Sequence, residues 1–340
     1  MIPKKVILDC DPGSDDAIAM MLAMKSDAID LIGVTTVNGN RIVPKTTENA
    51  LRVVQFMKSS VPVYRGCEEP IICNEIPGRK PGLPRVTLND CHGDFLPLPE
   101  AEIRTEKEHA VFYLVKTLME SEGDVYVAAV GPLTNLAMAL RIEPKIAGKI
   151  KQLVIMGGGH CGANASPAAE FNFYADPEAA KIVMDSAIPK VILPLDATWR
   201  ACLSEEKCKE LAQLGTPEAK VAAALVQKRI DNLKVNDVSE HNYVLRHQAG
   251  TVAGAMLYRY DNHMAPIHDA LAIAYLIDEN VVTELADANV DIDIAGGLCD
   301  GRMVADFHNT KKSKDPVTAK VALNSDAGLF TDMLFAALGK

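Results

Sequence analysis

Four carboxylates crowd into DCDPGSDD at positions 9–16: Asp9, Asp11, Asp15 and Asp16. Pro12 and Gly13 mark a tight turn between the apolar run VILD at 6–9 and the helical stretch that begins at AIAMMLAMKS. Carboxylates packed this closely repel one another unless a cation sits among them. Oxygen-only donors suit a hard ion, Ca²⁺ or Mg²⁺, better than zinc. Acidic residues at a helix start are also favoured by the helix dipole, which accounts for Asp15 and Asp16 but not for Asp9 and Asp11. A DxD after an apolar strand also opens the haloacid-dehalogenase phosphatases, where the first Asp is a nucleophile and the metal is Mg²⁺. The continuation Pro-Gly-Ser-Asp-Asp differs from the Gly-Thr usual there.

The elements that must carry these carboxylates alternate. VILD at 6–9, LIGVTTV at 31–37, VPVYRG at 61–66, VYVAAVG at 125–131, QLVIMGGG at 152–159 and KVILPLD at 190–196 read as strands. Helical stretches such as TTENALRVVQFMKS and TNLAMAL follow some of them. Strands rich in Val and Ile without polar alternation are buried on both faces. The βαβα order therefore predicts an α/β fold: an open, doubly wound, mostly parallel, Rossmann-like sheet. In such sheets ligands bind beyond the carboxyl ends of the strands, where DCDPGSDD falls. The Pro- and Gly-rich segment 69–104 breaks the pattern and reads as a long loop or insertion. Residues 203–265 read as helical and as a cap over the site. VDIDIAGGLCDGRMVADF at 290–307 reads as a hairpin. No linker or repeat divides the chain, so residues 1–340 are expected to form a single domain.

Bulk composition narrows the function classes. The chain has 340 residues, 48% of them hydrophobic, enough for a large core. The net charge of −10, with basic residues dispersed, argues against nucleic acid as a partner but not against a small uncharged ligand. The longest apolar runs fall short of a membrane span, and the opening MIPKKVILDC does not read as a secretory signal. Eight cysteines without a CxxC pair or regular spacing read as reduced thiols, which points to the cytoplasm. GGG at 157–159 lacks the following Lys-Ser/Thr of a phosphate-binding loop.

DCDPGSDDAIAMMLA resembles the DxDPGxDD signature of the inosine-uridine-preferring nucleoside hydrolase family. Five further stretches match in order: TTVNGN at 35–40, VGPLTNLAMAL at 130–140, VIMGGG at 154–159, NASPAAEFNFYADPEAA at 164–180 and HDALAIAYLID at 268–278. The resemblance weakens over 199–265. It implies calcium-dependent hydrolysis of the N-glycosidic bond of ribonucleosides, inosine- and guanosine-type purines with uridine as a further candidate, for nucleoside salvage. It implies Ca²⁺ ligation by Asp11, Asp16, Asp269 and the carbonyl of Val130, with ribose hydroxyls and a water completing the shell. Asp11 would also take the proton of that water, and Asp9 would support the site from behind. Asp15, Asn40, Asn164, Glu170 and Asn172 would bind the sugar, and His92 its 5′ end. His268 would protonate the leaving base. Trp199, just after a strand, is a candidate base-stacking platform or else a packing residue. Tyr258, Arg259, Tyr260 and His263 lie where base contacts belong but receive no individual role. A homodimer or homotetramer is the implied assembly. A non-catalytic nucleoside-binding protein is the remaining alternative.

Overall fold

In the computed structural model, the described residues are 2–72, 75–76, 93–235, 264–308 and 319–340. His92, Tyr258, Arg259, Tyr260 and His263 lie outside them, as does half of the Pro- and Gly-rich segment.

The chain begins with strand β1 (Lys4–Cys10), helix α1 (Ser14–Lys25), β2 (Ile29–Thr36), α2 (Val43–Phe56) and β3 (Val63–Arg65). It continues with α3 (Ala110–Glu120), β4 (Val125–Ala129), α4 (Thr134–Ile142), β5 (Ile150–Met156), α5 (Phe171–Ala175), α6 (Pro177–Met184) and β6 (Lys190–Leu193). A short helix α7 (Leu195–Thr198) leads to β7 (Cys202–Ser204), α8 (Glu205–Gln213) and α9 (Pro217–Val235). The last part holds β8 (Met264–Pro266), α10 (His268–Ile277), β9 (Val282–Ile292), β10 (Met303–Asp306), β11 (Ala319–Ser325) and α11 (Ala327–Leu338).

Nine strands form one sheet in the order β10-β9-β11-β6-β5-β4-β1-β2-β3. From β3 to β11 neighbouring strands run parallel; β9 pairs antiparallel with both β11 and β10. The doubly wound, mostly parallel sheet expected from the alternation is therefore present. Its run-on into an antiparallel edge is an addition that the hairpin at 290–307 only partly foreshadowed. β1 lies between β2 and β4, so successive connections leave it in opposite directions. That strand-order switch opens a crevice at the carboxyl ends of β1 and β4. Asp11 follows β1, and Val130 follows β4.

Two apolar layers flank the sheet. One gathers α1, α2, α9, α10 and α11; the other gathers α3, α4 and α6. Ser14 through Ala23 of α1 are all buried, as suits a helix enclosed by others, apolar beyond its first turn. The excursion at 203–265 leaves from β7 and returns through β8, which pair antiparallel as a separate two-stranded sheet. Neither of these short strands was expected from the sequence. Among the described residues no helix is long and apolar enough to cross a membrane.

Candidate active site

The first turns of α1 and α10 bring the charged residues together. α1 follows the Pro12–Gly13 turn, and the Asp16 carboxylate accepts the backbone N–H groups of Asp11 (3.1 Å) and Gly13 (2.9 Å). Asp16 thus holds the turn from the third helical position, the acidic half of a capping box. α1 packs against α10, whose first residues are His268 and Asp269. Asp15, Asp16 and Asp269 consequently present carboxylate oxygens within 4.8 Å of one another, all three buried. At that separation each pair of charges repels by about 3–4 kcal/mol for an effective dielectric near 20. The positive ends of two helix dipoles offset part of this.

Asp11 stands beside this group. Burial, then repulsion from Asp16, drives its carboxyl well above the usual carboxylate range. Burial, then repulsion from Asp15, Asp16 and Asp11, does the same to Asp269. Asn40 wraps Asp11: its backbone N–H donates to Asp11 Oδ2 (2.5 Å), and its amide donates to the Asp11 carbonyl (3.2 Å) and to Asp16 Oδ2 (3.4 Å). The Asp11 carboxylate sits between two backbones. A Cβ at Gly39 would lie 2.0 Å from Oδ2, and one at Gly131 would lie 2.8 Å from Oδ1. Asp9, fully buried, accepts from Thr35 (2.6 Å) and Asn135 (2.7 Å), and burial raises it to about 6. It supports the strand end from behind.

The donors gathered here are all oxygen, anionic and desolvated, a set that fits a hard divalent cation. Asp16 and Asp269 belong to the set implied by the resemblance. Asp15, expected only as a sugar ligand, lies at ligand distance as well. The Val130 carbonyl accepts the Asn172 amide at 2.9 Å, and the same amide donates to the Met156 carbonyl at 3.1 Å. Asn172 thereby ties the end of β4 to the end of β5.

Glu170 caps α5. Its carboxylate accepts from the backbones of Asn172 (2.9 Å), Phe173 (3.2 Å) and Gly158 (2.8 Å). Burial, against these donors, raises it to about 7. The GGG turn is therefore fastened by Glu170 rather than by a phosphate. Asn164 is exposed, and its Oδ1 accepts the Phe171 N–H at 2.8 Å. Of the two roles open to it, stacking platform or packing residue, Trp199 has the surroundings of the second. It is 2% exposed, lies within the main core and packs its six-membered ring against Gly162, so no ring face is open to a base.

His268 is buried beside Asp269, and its Nδ1 lies 2.8 Å from Thr198 Oγ1. Arg229 of α9 forms an ion pair with Asp15 at 2.9 Å. Neither Thr198 nor Arg229 carried a role in the sequence. Thr198 lies inside the LDATW run that drew notice for its tryptophan, and Arg229 lies in the helical excursion, where the resemblance is weakest.

Known proteins resemble this chain along nearly its whole length. The family model for inosine-uridine preferring nucleoside hydrolase matches residues 6–332. The pyrimidine-specific ribonucleoside hydrolase RihB of Escherichia coli O157:H7 is 35% identical over 337 residues, covering 97% of this chain and 95% of the relative. Among solved structures, a purine-preferring ribonucleoside hydrolase from Gardnerella vaginalis superposes with a TM-score of 0.83 at 25% identity, over 99% of this chain and 98% of that one. A plant nucleoside hydrolase, PpNRh1, does so with a TM-score of 0.80 at 27% identity, over 99% of both.

Proposed function

The chain belongs to the inosine-uridine preferring nucleoside hydrolase family, and from that premise we propose that it cleaves ribonucleosides with Asp11 as general base and His268 as general acid. The observation that carries this is the convergence of Asp15, Asp16 and Asp269 at the first turns of two helices, with Asp11 just before one of them and His268 next to Asp269, beside the strand-order switch. Membership sets aside the phosphatase alternative.

Asp11, Asp16, Asp269 and the Val130 carbonyl are the proposed holders of Ca²⁺, with Asp15 beside them. Six to eight oxygen ligands suit Ca²⁺ better than the tighter octahedron of Mg²⁺. When bound, the ion offsets the carboxylate charges, grips the sugar diol and raises the acidity of water. The C1′–N bond stretches first, and its electron pair leaves with the base while His268 gives that base a proton. The buried carboxylates stabilise the positive charge that develops on the ribose ring. Water adds at C1′, and Asp11 takes its proton. Asp15 and Asn40 are the proposed sugar-hydroxyl partners, joined by Asn172; Glu170 and Asn164 serve by holding α5 and its loop.

The relative of higher identity is pyrimidine-specific, whereas a solved neighbour is purine-preferring. The former weighs uridine ahead of inosine and guanosine as substrate. The described cysteines are free thiols, which supports action in the cytoplasm. A single domain assembled as a homodimer or homotetramer is the proposed form, checkable by sedimentation.

Reducing-sugar release from uridine, cytidine, inosine, guanosine and adenosine tests the substrate class. Ribose released from at least one of them is expected. Binding without release from any would turn the reading into that of a nucleoside-binding protein. Chelation with EGTA is expected to abolish turnover, and added Ca²⁺ to restore it; full activity in EGTA would remove the ion from the proposal.

A further inference from the structure

We infer that Thr198 is the positioning residue that orients His268 for proton delivery, an inference that rests on the general-acid reading of His268. Thr198 is fully buried, and its hydroxyl lies 2.8 Å from His268 Nδ1. A threonine hydroxyl donates and accepts, so it bonds Nδ1 in either protonation state of the ring. With Nδ1 bonded to Thr198 Oγ1, proton delivery to the base falls to the other ring nitrogen, Nε2. One N–H bond at Nε2 breaks and one forms on the base, and the hydroxyl itself loses no proton. Fixing one ring nitrogen in this way sets both tautomer and ring plane.

The backbone that carries the pair is stitched on both sides. Within α7 the Thr198 N–H donates to the Pro194 carbonyl at 3.0 Å, and the Trp199 N–H to the Leu195 carbonyl at 3.0 Å. Ser325, at the end of β11, donates its hydroxyl to the Ala197 carbonyl at 2.8 Å. On the other side, the Ile267 N–H donates to the Ala201 carbonyl at 2.7 Å, fixing the entry to α10 against the exit from α7. Trp199 anchors the same turn in the core. A β-branched side chain on so constrained a turn has little χ1 freedom, so its hydroxyl is preset toward the imidazole.

The test compares Thr198→Val, Thr198→Ser and His268→Ala on a natural nucleoside and on p-nitrophenyl riboside, whose leaving group departs without a proton. Thr198→Val is expected to lower kcat on the nucleoside by about tenfold or more, a fraction of the 10²–10⁴ typical of general acid help. KM and turnover of p-nitrophenyl riboside should stay within about twofold, and Thr198→Ser should recover most of the lost rate. Thr198→Ala, which cannot overpack, carries the same test if the valine variant fails to fold. Equal losses on both substrates, or none, would overturn the role of Thr198. A selective loss in His268→Ala without one in Thr198→Val would overturn the positioning role alone. No selective loss in His268→Ala would sink the general-acid reading and this inference together.

Discussion

Gly39 and Gly131 shape the site without bearing any reactive group. A methyl at Gly39 would have to occupy the space of Asp11 Oδ2, 2.0 Å away, and one at Gly131 would press on Oδ1. Gly39→Ala is therefore expected to lower turnover at least about a hundredfold, because a displaced base loses its aim. Circular dichroism should be unchanged; wild-type activity in Gly39→Ala would show that Asp11 need not sit where it does. Asp11→Asn removes the negative charge and replaces one carboxylate oxygen with an NH2 group, which can neither accept a proton nor ligate a cation. Calorimetry should show weakened Ca²⁺ binding, and kcat should fall by roughly 10²–10⁴. Undiminished kcat would refute the proposed base.

At the scale of elements, helix starts organise the molecule. Asp16 holds the start of α1, Glu170 that of α5 and Asp176 that of α6, where its carboxylate accepts the Ala179 N–H (3.1 Å). Asp176 also accepts the Thr134 hydroxyl (2.7 Å) and the Ile71 N–H (3.0 Å), tying α6 to α4 and to the chain after β3. Burial raises its carboxyl from 3.8 to about 6, with the hydrogen bonds opposing. The native state thus holds the proton more tightly than the unfolded chain. Between pH 6 and 3.8 this group favours folding as pH falls, by at most about 3 kcal/mol, and the contribution is gone above pH 6. Urea titrations across that window should show a less acid-favoured slope in Asp176→Asn than in the unmodified chain; identical slopes would remove Asp176 as the source. Trp199 anchors α7 by packing. Trp199→Ala should cost about 3–5 kcal/mol, whereas Trp199→Phe should cost far less and leave KM for nucleosides unaltered. A KM raised severalfold in the stable phenylalanine variant would restore the stacking role.

For the whole molecule, the proposed ion site would link ion binding to folding. The unfolded chain disperses Asp11, Asp16 and Asp269 and has no equivalent site, so an ion held by the proposed ligands would stabilise the native state by mass action. Saturating Ca²⁺, near a hundredfold above Kd, is expected to add about 2.7 kcal/mol and to raise Tm by several degrees. The rise should vanish in Asp269→Asn. An unchanged Tm in the wild type at millimolar Ca²⁺ would contradict a site built from these side chains.

Much of this architecture was legible along the chain. Apolar strands without alternation announced a sheet buried on both faces, and the carboxylates after β1 announced a cluster of oxygen donors that could hold a cation, because strand period and charge crowding are local properties. The hairpin at 290–307 was equally visible. The antiparallel run of β9 against β11 and the pairing of β7 with β8 were not, because partner choice between distant short strands leaves no local pattern. Types and order of residues determined that Asp11, Asp16 and Asp269 belong to one family motif set. Only tertiary packing decided that Asp15 stands at ligand distance from Asp16 and Asp269, that Arg229 reaches it, and that Thr198 faces His268. It also decided that Trp199 closes the core instead of opening to a base. These are contacts between side chains far apart in the chain, and their geometry exists only once α1 and α10 have packed together over the sheet.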